Sequence, residues 1–220
     1  TAYLKQIASQ MNRPVQEGAI DVDPKTLQVQ VLNQSQVGQQ MDVAAGVAAI
    51  EAALKGDQRQ IALPVVVTQP KINTANIQDM GIKELVSQGT SSFAGSSAER
   101  VQNIVAAANK FKNVVVAPGE EFSFNKNVGS IDKANGFTEG LVIAGDRTAV
   151  GIGGGVCQVS TTAFRAAFNG GFPIVERWAH GYVVGWYGKP GLDATIYTPG
   201  VDMRFKNDTD HYILVKSSVD

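Results

Sequence analysis

Cys157, the only cysteine, stands in Gly151-Ile152-Gly153-Gly154-Gly155-Val156-Cys157-Gln158-Val159-Ser160-Thr161-Thr162, and one of only two histidines, His180, follows downstream. A lone cysteine with a later histidine is the pairing of nucleophilic catalysis: a thiolate attacks a carbonyl and an imidazole moves the proton. The glycines allow a tight backbone approach free of side chains. A helical pattern starts directly after them, with Val159, Ala163, Phe164, Ala166, Ala167 and Phe168 apolar, and stops at Gly170-Gly171. Cys157 is thus expected at or near a helix N-terminus, where unpaired N–H groups and the macrodipole lower a thiol pKa from about 8.5. Those N–H groups also suit an oxyanion. The competing reading is a buried, inert cysteine acting as a small hydrophobe. A phosphate loop fits poorly, because no Lys-Ser or Lys-Thr follows the glycines and the dinucleotide spacing is absent.

His180 lies in Glu176-Arg177-Trp178-Ala179-His180-Gly181-Tyr182, entering a predicted strand at 183–187. A base needs an orienting group. Asp193, at the start of the next predicted strand, is preferred, with Asp202 and Glu176 as alternatives; each is otherwise an ordinary turn carboxylate. His211 follows a polar turn and is expected at the surface. Gly155, Gln158, Ser160 and Thr161 surround the cysteine and are candidates for contact with a reacting carbonyl, the last three alternatively as helix caps. Arg147 and Arg177 are candidates for bidentate binding of a substrate carboxylate, against the ordinary fate of a solvated arginine. Trp186 and Tyr187, with Trp178, would line a groove or serve as core and rim. No Cys/His set matches a zinc site and no tight acidic cluster matches a two-metal centre, so neither metal nor cofactor is expected.

The elements that must position these residues read as follows. Residues 1–11 form a short helix. Strands at 19–22 and 27–31 flank the turn Asp23-Pro24-Lys25-Thr26. A helix covers 39–55, a buried strand 61–68, and a second short helix 77–86. The stretch 88–97, small, polar and glycine-bearing, is the expected seam. Ser97 then caps a helix over 98–111, with Arg100, Lys110 and Lys112 solvated, and 114–116 is a buried strand. The rest is turn-rich and strand-rich, with strands at 194–197, 203–205 and 212–215. The fold class is α+β in two modules: a small N-terminal α+β module over 1–93, and a strand-rich α+β catalytic domain over 96–220 with the cysteine at a helix N-terminus.

The chain has 220 residues, 44% hydrophobic and 18% charged, with net charge −1. That is a globular composition with no electrostatic reason to bind nucleic acid. No run approaches the roughly 20 apolar residues of a membrane span. From the opening Thr1-Ala2-Tyr3, without Met, an excised fragment that has lost a leader or anchor is expected.

The segment 153–162 resembles the signature of the VanW family of bacterial cell-envelope proteins. Four other stretches agree: 96–100 (SSAER), 117–125 (APGEEFSFN), 191–195 (GLDAT) and 205–209 (FKNDT). The first part, through Asp42-Val43 and Ala62-Leu63-Pro64-Val65, resembles a small module described as peptidoglycan-binding, found before such domains and before some L,D-transpeptidases. The resemblance implies an extracytoplasmic, cell-wall setting, peptidoglycan stem peptides as substrate, and a link to vancomycin-resistance gene clusters. It implies L,D-transpeptidation, forming 3→3 cross-links with Cys157 as nucleophile and His180 as base. Two alternatives stand beside that expectation. One is a cysteine peptidase or amidase in which water resolves the same acyl-enzyme. The other is a non-catalytic wall-binding protein.

Overall fold

Short strands and helices alternate along the chain, and the glycines and prolines between them set where each ends. The computed structural model describes all residues except Pro24, Gln58, Gly145, Asp146 and Lys189. It divides into two compact units, Thr1–Met80 and Gly81–Asp220, and the fold is a mixed α+β one.

The first unit holds α1 (Ala2–Met11), β1 (Ala19–Val22), β2 (Val29–Asn33), β3 (Gly38–Met41), α2 (Val43–Leu54) and β4 (Val65–Thr68). β1 pairs with β2 and β3 with β4, both antiparallel. Leu4 and Ala8 of α1 meet Met41 in a small core, with Val47, Ile50 and Leu63 packed against it. The helix expected over 39–55 starts only at Val43, because residues 38–41 join β4 as a strand and the Asp42 carboxylate caps α2 by accepting from Ala45 N–H at 2.9 Å. The strand expected over 61–68 narrows to 65–68, after Pro64, which has no N–H for a ladder. The helix expected over 77–86 does not form. A kinked 3-10 segment, Thr74–Met80, takes its place and ends at Gly81, whose φ of 70° leaves the helical region. The expected turn at 23–26 contains Pro24, which lies outside the described residues; Asp23 accepts from Lys25 N–H and Thr26 N–H at 2.8 Å each.

The second unit holds α3 (Ala98–Asn109), β5 (Val114–Val116), β6 (Glu121–Ser123), α4 (Phe124–Val128), β7 (Glu139–Ala144), β8 (Arg147–Ile152), α5 (Val156–Asn169), β9 (Ile174–Glu176), β10 (Arg204–Lys206) and β11 (Ile213–Val215). β10 lies between β6 and β9, β11 pairs with β5, and β7 with β8 makes a hairpin. Its core is aromatic. Phe111 stacks on Phe124 at 4.6 Å and Phe122 on Phe205 at 4.8 Å, with Phe137, Phe164 and Met203 buried beside them. Ser97 caps α3, accepting from Arg100 N–H.

Two expected strands are missing here. Gly185–Tyr187 is a 3-10 turn followed by Gly188 at φ 70°, and this replaces the strand at 183–187. Residues 194–197 carry only two isolated antiparallel bridges, Trp178 with Thr195 and Tyr197 with Val201. The Ser/Gly stretch at 88–97 lies downstream of the division at 80/81 and packs along α5. Ser91 Oγ is 2.7 Å from Thr162 Oγ1, and a Cβ at Gly89 would collide with the Thr162 carbonyl oxygen.

Candidate active site

The glycine run brings the chain from β8 into α5 through backbone that side chains would obstruct. A Cβ on Gly154 would lie 2.5 Å from the Leu141 carbonyl oxygen. Gly155 is the N-cap of α5 at φ 112°, and a Cβ there would lie 3.0 Å from Arg100 Cγ. Fully buried Asn103 of α3 clamps this turn. Its Nδ2 donates to Gly154 O at 3.0 Å and to Thr138 O at 3.1 Å, and its Oδ1 accepts from Thr138 N–H at 2.8 Å. Cys157 is therefore the second residue of α5. Val156 N–H and Gln158 N–H are taken by Gly153 O and Gly155 O at 3.0 Å each. The Cys157 N–H between them has no hydrogen bond among the described residues and stays open, as first-turn donors do.

Cys157 as a whole is half-buried. Its sulfur lies 3.6 Å from Thr195 Oγ1 and 3.7 Å from the Ile196 carbonyl oxygen. The bridge between Trp178 and Thr195 sets the register of the two segments, and two residues further along each of them His180 meets Asp193. His180 Nδ1 is 2.6 Å from Asp193 Oδ2, which also accepts His180 main-chain N–H at 2.9 Å. Arg177 fixes the carboxylate from the other side. Its NH2 donates to Asp193 Oδ1 and to Gly191 O at 3.0 Å, and its Nε donates to Asp193 O at 2.6 Å. With the Nδ1 proton held by Asp193, Nε2 is the atom left for chemistry. Nε2 is buried and makes no hydrogen bond of ordinary geometry. It nevertheless interacts closely enough with Cys157 for each to shift the other's ionisation.

The electrostatics favour a charged pair. Burial resists ionisation of the thiol, but His180, the Ile196 main chain and Thr195 together outweigh it and hold the Cys157 pKa below its ordinary value. Burial likewise resists protonation of His180, and Cys157 and Asp193 together raise its pKa above the ordinary histidine value. Asp193, despite its burial, is lowered by its bonds to His180 and by Arg177. The Tyr187 ring stands 5.0 Å from the His180 ring, and burial followed by the nearby cysteine charge pushes its phenol up.

The other residues singled out from sequence fall into distinct places. Gln158, Ser160 and Thr161 are buried with their polar groups engaged inside the chain. Gln158 Nε2 donates to Ser91 Oγ and Ser92 O, at 3.1 and 2.9 Å. Ser160 Oγ donates to Ala194 O at 2.6 Å, and Thr161 Oγ1 accepts from Ala194 N–H at 3.0 Å. These bonds tie α5 to the segment carrying Asp193 and Thr195. Arg177 braces Asp193 rather than standing free for a substrate. Asp202 takes Asn125 N–H at 2.9 Å and Met203 N–H at 2.8 Å, and Glu176 takes Trp178 Nε1 at 3.1 Å, so neither alternative orients His180. Arg147 is exposed at the turn end of the β7–β8 hairpin, roughly 17 Å of strand rise from the glycine turn. Trp186 is half-exposed with Arg100 Cζ 4.9 Å above its ring. His211 is exposed, as expected.

Arg100 overturns an expectation. Read as solvated, it is half-buried and donates from NH1 to Ser96 Oγ at 2.7 Å and from NH2 to Gln158 Oε1 at 2.6 Å. Arg100, Asn103 and Thr195 are the site residues that spacing did not reveal. Two of them, Arg100 and Thr195, sit inside the stretches 96–100 and 191–195 that carry the family resemblance. Among the described residues, no group of three or more His, Cys, Asp or Glu could hold a metal ion, and no helix is long and apolar enough to cross a membrane.

Comparison with known proteins bears on the same residues. No solved structure matches the chain. It is 35% identical over 158 residues to the uncharacterized protein YoaR of Bacillus subtilis (strain 168), covering 72% of this chain and 52% of that protein. It is 33% identical over 117 residues to the vancomycin B-type resistance protein VanW of Enterococcus faecalis (strain ATCC 700802 / V583), covering 50% and 42%. The chain thus spans about half the length of these relatives. The family model described as VanW like protein matches residues 99–220, which include Cys157, His180 and Asp193, and the chain belongs to that family.

Proposed function

We propose that this VanW-family protein is a cysteine-dependent L,D-transpeptidase that forms 3→3 cross-links between peptidoglycan stem peptides at the bacterial cell surface. The observation that carries the reading is a trio of groups: a thiol in the first turn of α5, an imidazole that shifts its ionisation, and a carboxylate 2.6 Å from the far nitrogen of that imidazole. A relative named for resistance to vancomycin supports a cell-wall role. The first unit has neither cysteine nor histidine, and its role in this reading is to bind or position wall polymer.

The chemistry runs as acyl transfer. Cys157 Sγ, as thiolate, attacks the carbonyl carbon before the terminal D-alanine of a tetrapeptide stem. The oxyanion takes the open Cys157 N–H. Collapse breaks the C–N bond, and the Nε2 proton of His180 passes to the departing D-alanine amine. The side-chain amine of a second stem then attacks the thioester carbon and gives a proton to His180 as the C–S bond breaks. The cross-link is formed and the thiolate returns beside an imidazolium. Asp193 keeps the imidazole aimed throughout.

Mass spectrometry of purified muropeptides incubated with the protein tests this reading. A cross-linked dimer that disappears with Cys157→Ala is the expected result. A trimmed monomer instead would assign hydrolysis, and unchanged muropeptides would assign a non-catalytic wall-binding role.

A further inference from the structure

Arg100 carries a charge that its surroundings leave unanswered. Its hydrogen-bond partners are neutral, Ser96 Oγ and Gln158 Oε1. Among the described residues no carboxylate pairs with it, whereas Arg177 has Asp193 and Arg204 has Glu121. It is half-buried, with its guanidinium over the Trp186 ring. A half-buried guanidinium without a counter-charge is a ready partner for an anion that arrives. A guanidinium has five N–H donors in a planar fork, and the two side-chain oxygens occupy only part of it.

Its position is equally specific. Arg100 Cγ abuts Gly155, the N-cap of the cysteine helix, and its NH2 reaches Gln158, the residue after the cysteine. Tyr187, buried with its ring 5.0 Å from that of His180, interacts with both Arg100 and Cys157. An acyl donor with its scissile carbonyl at Cys157 places its next residue about 3.8 Å further on, Cα to Cα. If that residue is the last of the peptide, it ends in a carboxylate.

We propose that Arg100 is the specificity-determining residue of this site and binds the free C-terminal carboxylate of the acyl-donor peptide, restricting the reaction to the removal of a single terminal residue. This rests on the acyl-transfer reading above and adds the requirement for a free terminus. Gln158 and Ser96 hold the guanidinium in place, and Trp186 supports its face. Internal peptide bonds and amidated ends offer no charge to answer Arg100 and are rejected.

The test compares two tetrapeptide stems, identical except that one ends in D-alanine and the other in D-alanine carboxamide. Each is titrated calorimetrically into the full chain carrying Cys157→Ala, so that binding is read without turnover. The free acid binds at least about ten-fold more tightly than the amide, the gap of a single charge-assisted pairing. Arg100→Gln removes most of that gap, and Arg100→Lys, which keeps the charge but not the fork, retains part of it. The comparison of acid and amide needs no change at Arg100 and stands even where Arg100→Gln disturbs the fold. Equal affinity for acid and amide, or no binding of either, overturns the inference. Cross-linked product from muropeptides together with equal affinities would leave the transfer reading intact and remove this one alone. If Arg100 served the oxyanion instead, Arg100→Lys would lower kcat equally on both peptides with no change in their relative KM, which also overturns it.

Discussion

Asp193 grips His180 at two points, the Nδ1 nitrogen and the main-chain N–H, and is itself held by Arg177. Asp193→Asn keeps the size but removes the charge that fixes the tautomer. Turnover is expected to fall by roughly 10²–10⁴-fold, the range for disabling a general base, with the folded circular dichroism spectrum unchanged; a loss under three-fold would show that the main chain alone orients the ring. The thiol has its own signature. Its lowered pKa means that the thiolate persists below the ordinary range, and alkylation by iodoacetamide slows only as pH falls through that lowered value. In His180→Ala the burial remains and the partner is gone, so the inflection moves upward. Transfer itself also needs the imidazolium proton. It therefore declines a second time as pH rises through the raised pKa of His180, giving a bell. A single sigmoid rising with pH would mean that His180 does not supply the leaving-group proton.

At the scale of elements, the approach to α5 is where the sequence was most legible and least complete. Gly153–Gly155 and the 3.6-residue pattern after Cys157 are local signals, and they placed the cysteine in the first helical turn. Asp193 was legible because it opens the segment after the histidine. The brackets around them were not. Asn103 acts through Thr138 and Gly154, and Arg100 through Gln158, partners far along the chain that no periodicity links. An arginine in the first turn of a capped helix reads as solvated until the neighbouring helix arrives. The strand expected at 183–187 failed for a local reason, since Gly185 and Gly188 favour a turn over extended pairing. Asn103→Ala strips the Thr138 N–H and the Gly154 carbonyl of their partner, at a cost of about 1–3 kcal/mol for each group left unsatisfied, while the Thr138 carbonyl keeps the Gly153 N–H. Gly154→Ala forces a Cβ against the Leu141 carbonyl, where overpacking costs about 1–3 kcal/mol. Urea midpoints measure both, and each variant should raise the Cys157 alkylation inflection because the N-terminus of α5 is displaced. An unchanged midpoint with an unchanged inflection would show that the glycine turn is held by other contacts.

For the whole molecule, hydrophobic periodicity foresaw α+β structure, and the stretch 88–97 has the small, polar character of a linker. Its side chains are instead committed to the cysteine helix: Ser91 to Thr162 and Gln158, the Ser92 carbonyl to Gln158, Ser96 to Arg100. A cut at residue 96 would remove Ser91 and Ser92 and leave the fully buried Gln158 amide without acceptors, a loss of about 1–3 kcal/mol at a single group. A cut after Met80 keeps all of these bonds and the whole aromatic core. Residues 81–220 are therefore expected to fold cooperatively and to retain transfer on soluble stem peptides within about three-fold of the full chain, while sedimenting less with insoluble peptidoglycan. Residues 96–220 should unfold at lower urea and show weakened, broadened thiol titration. Full activity and equal stability in the shorter piece would make the Ser/Gly stretch a linker after all. Folded but inactive protein from residues 81–220 would show that the first unit, which has no cysteine or histidine of its own, is needed to complete the site.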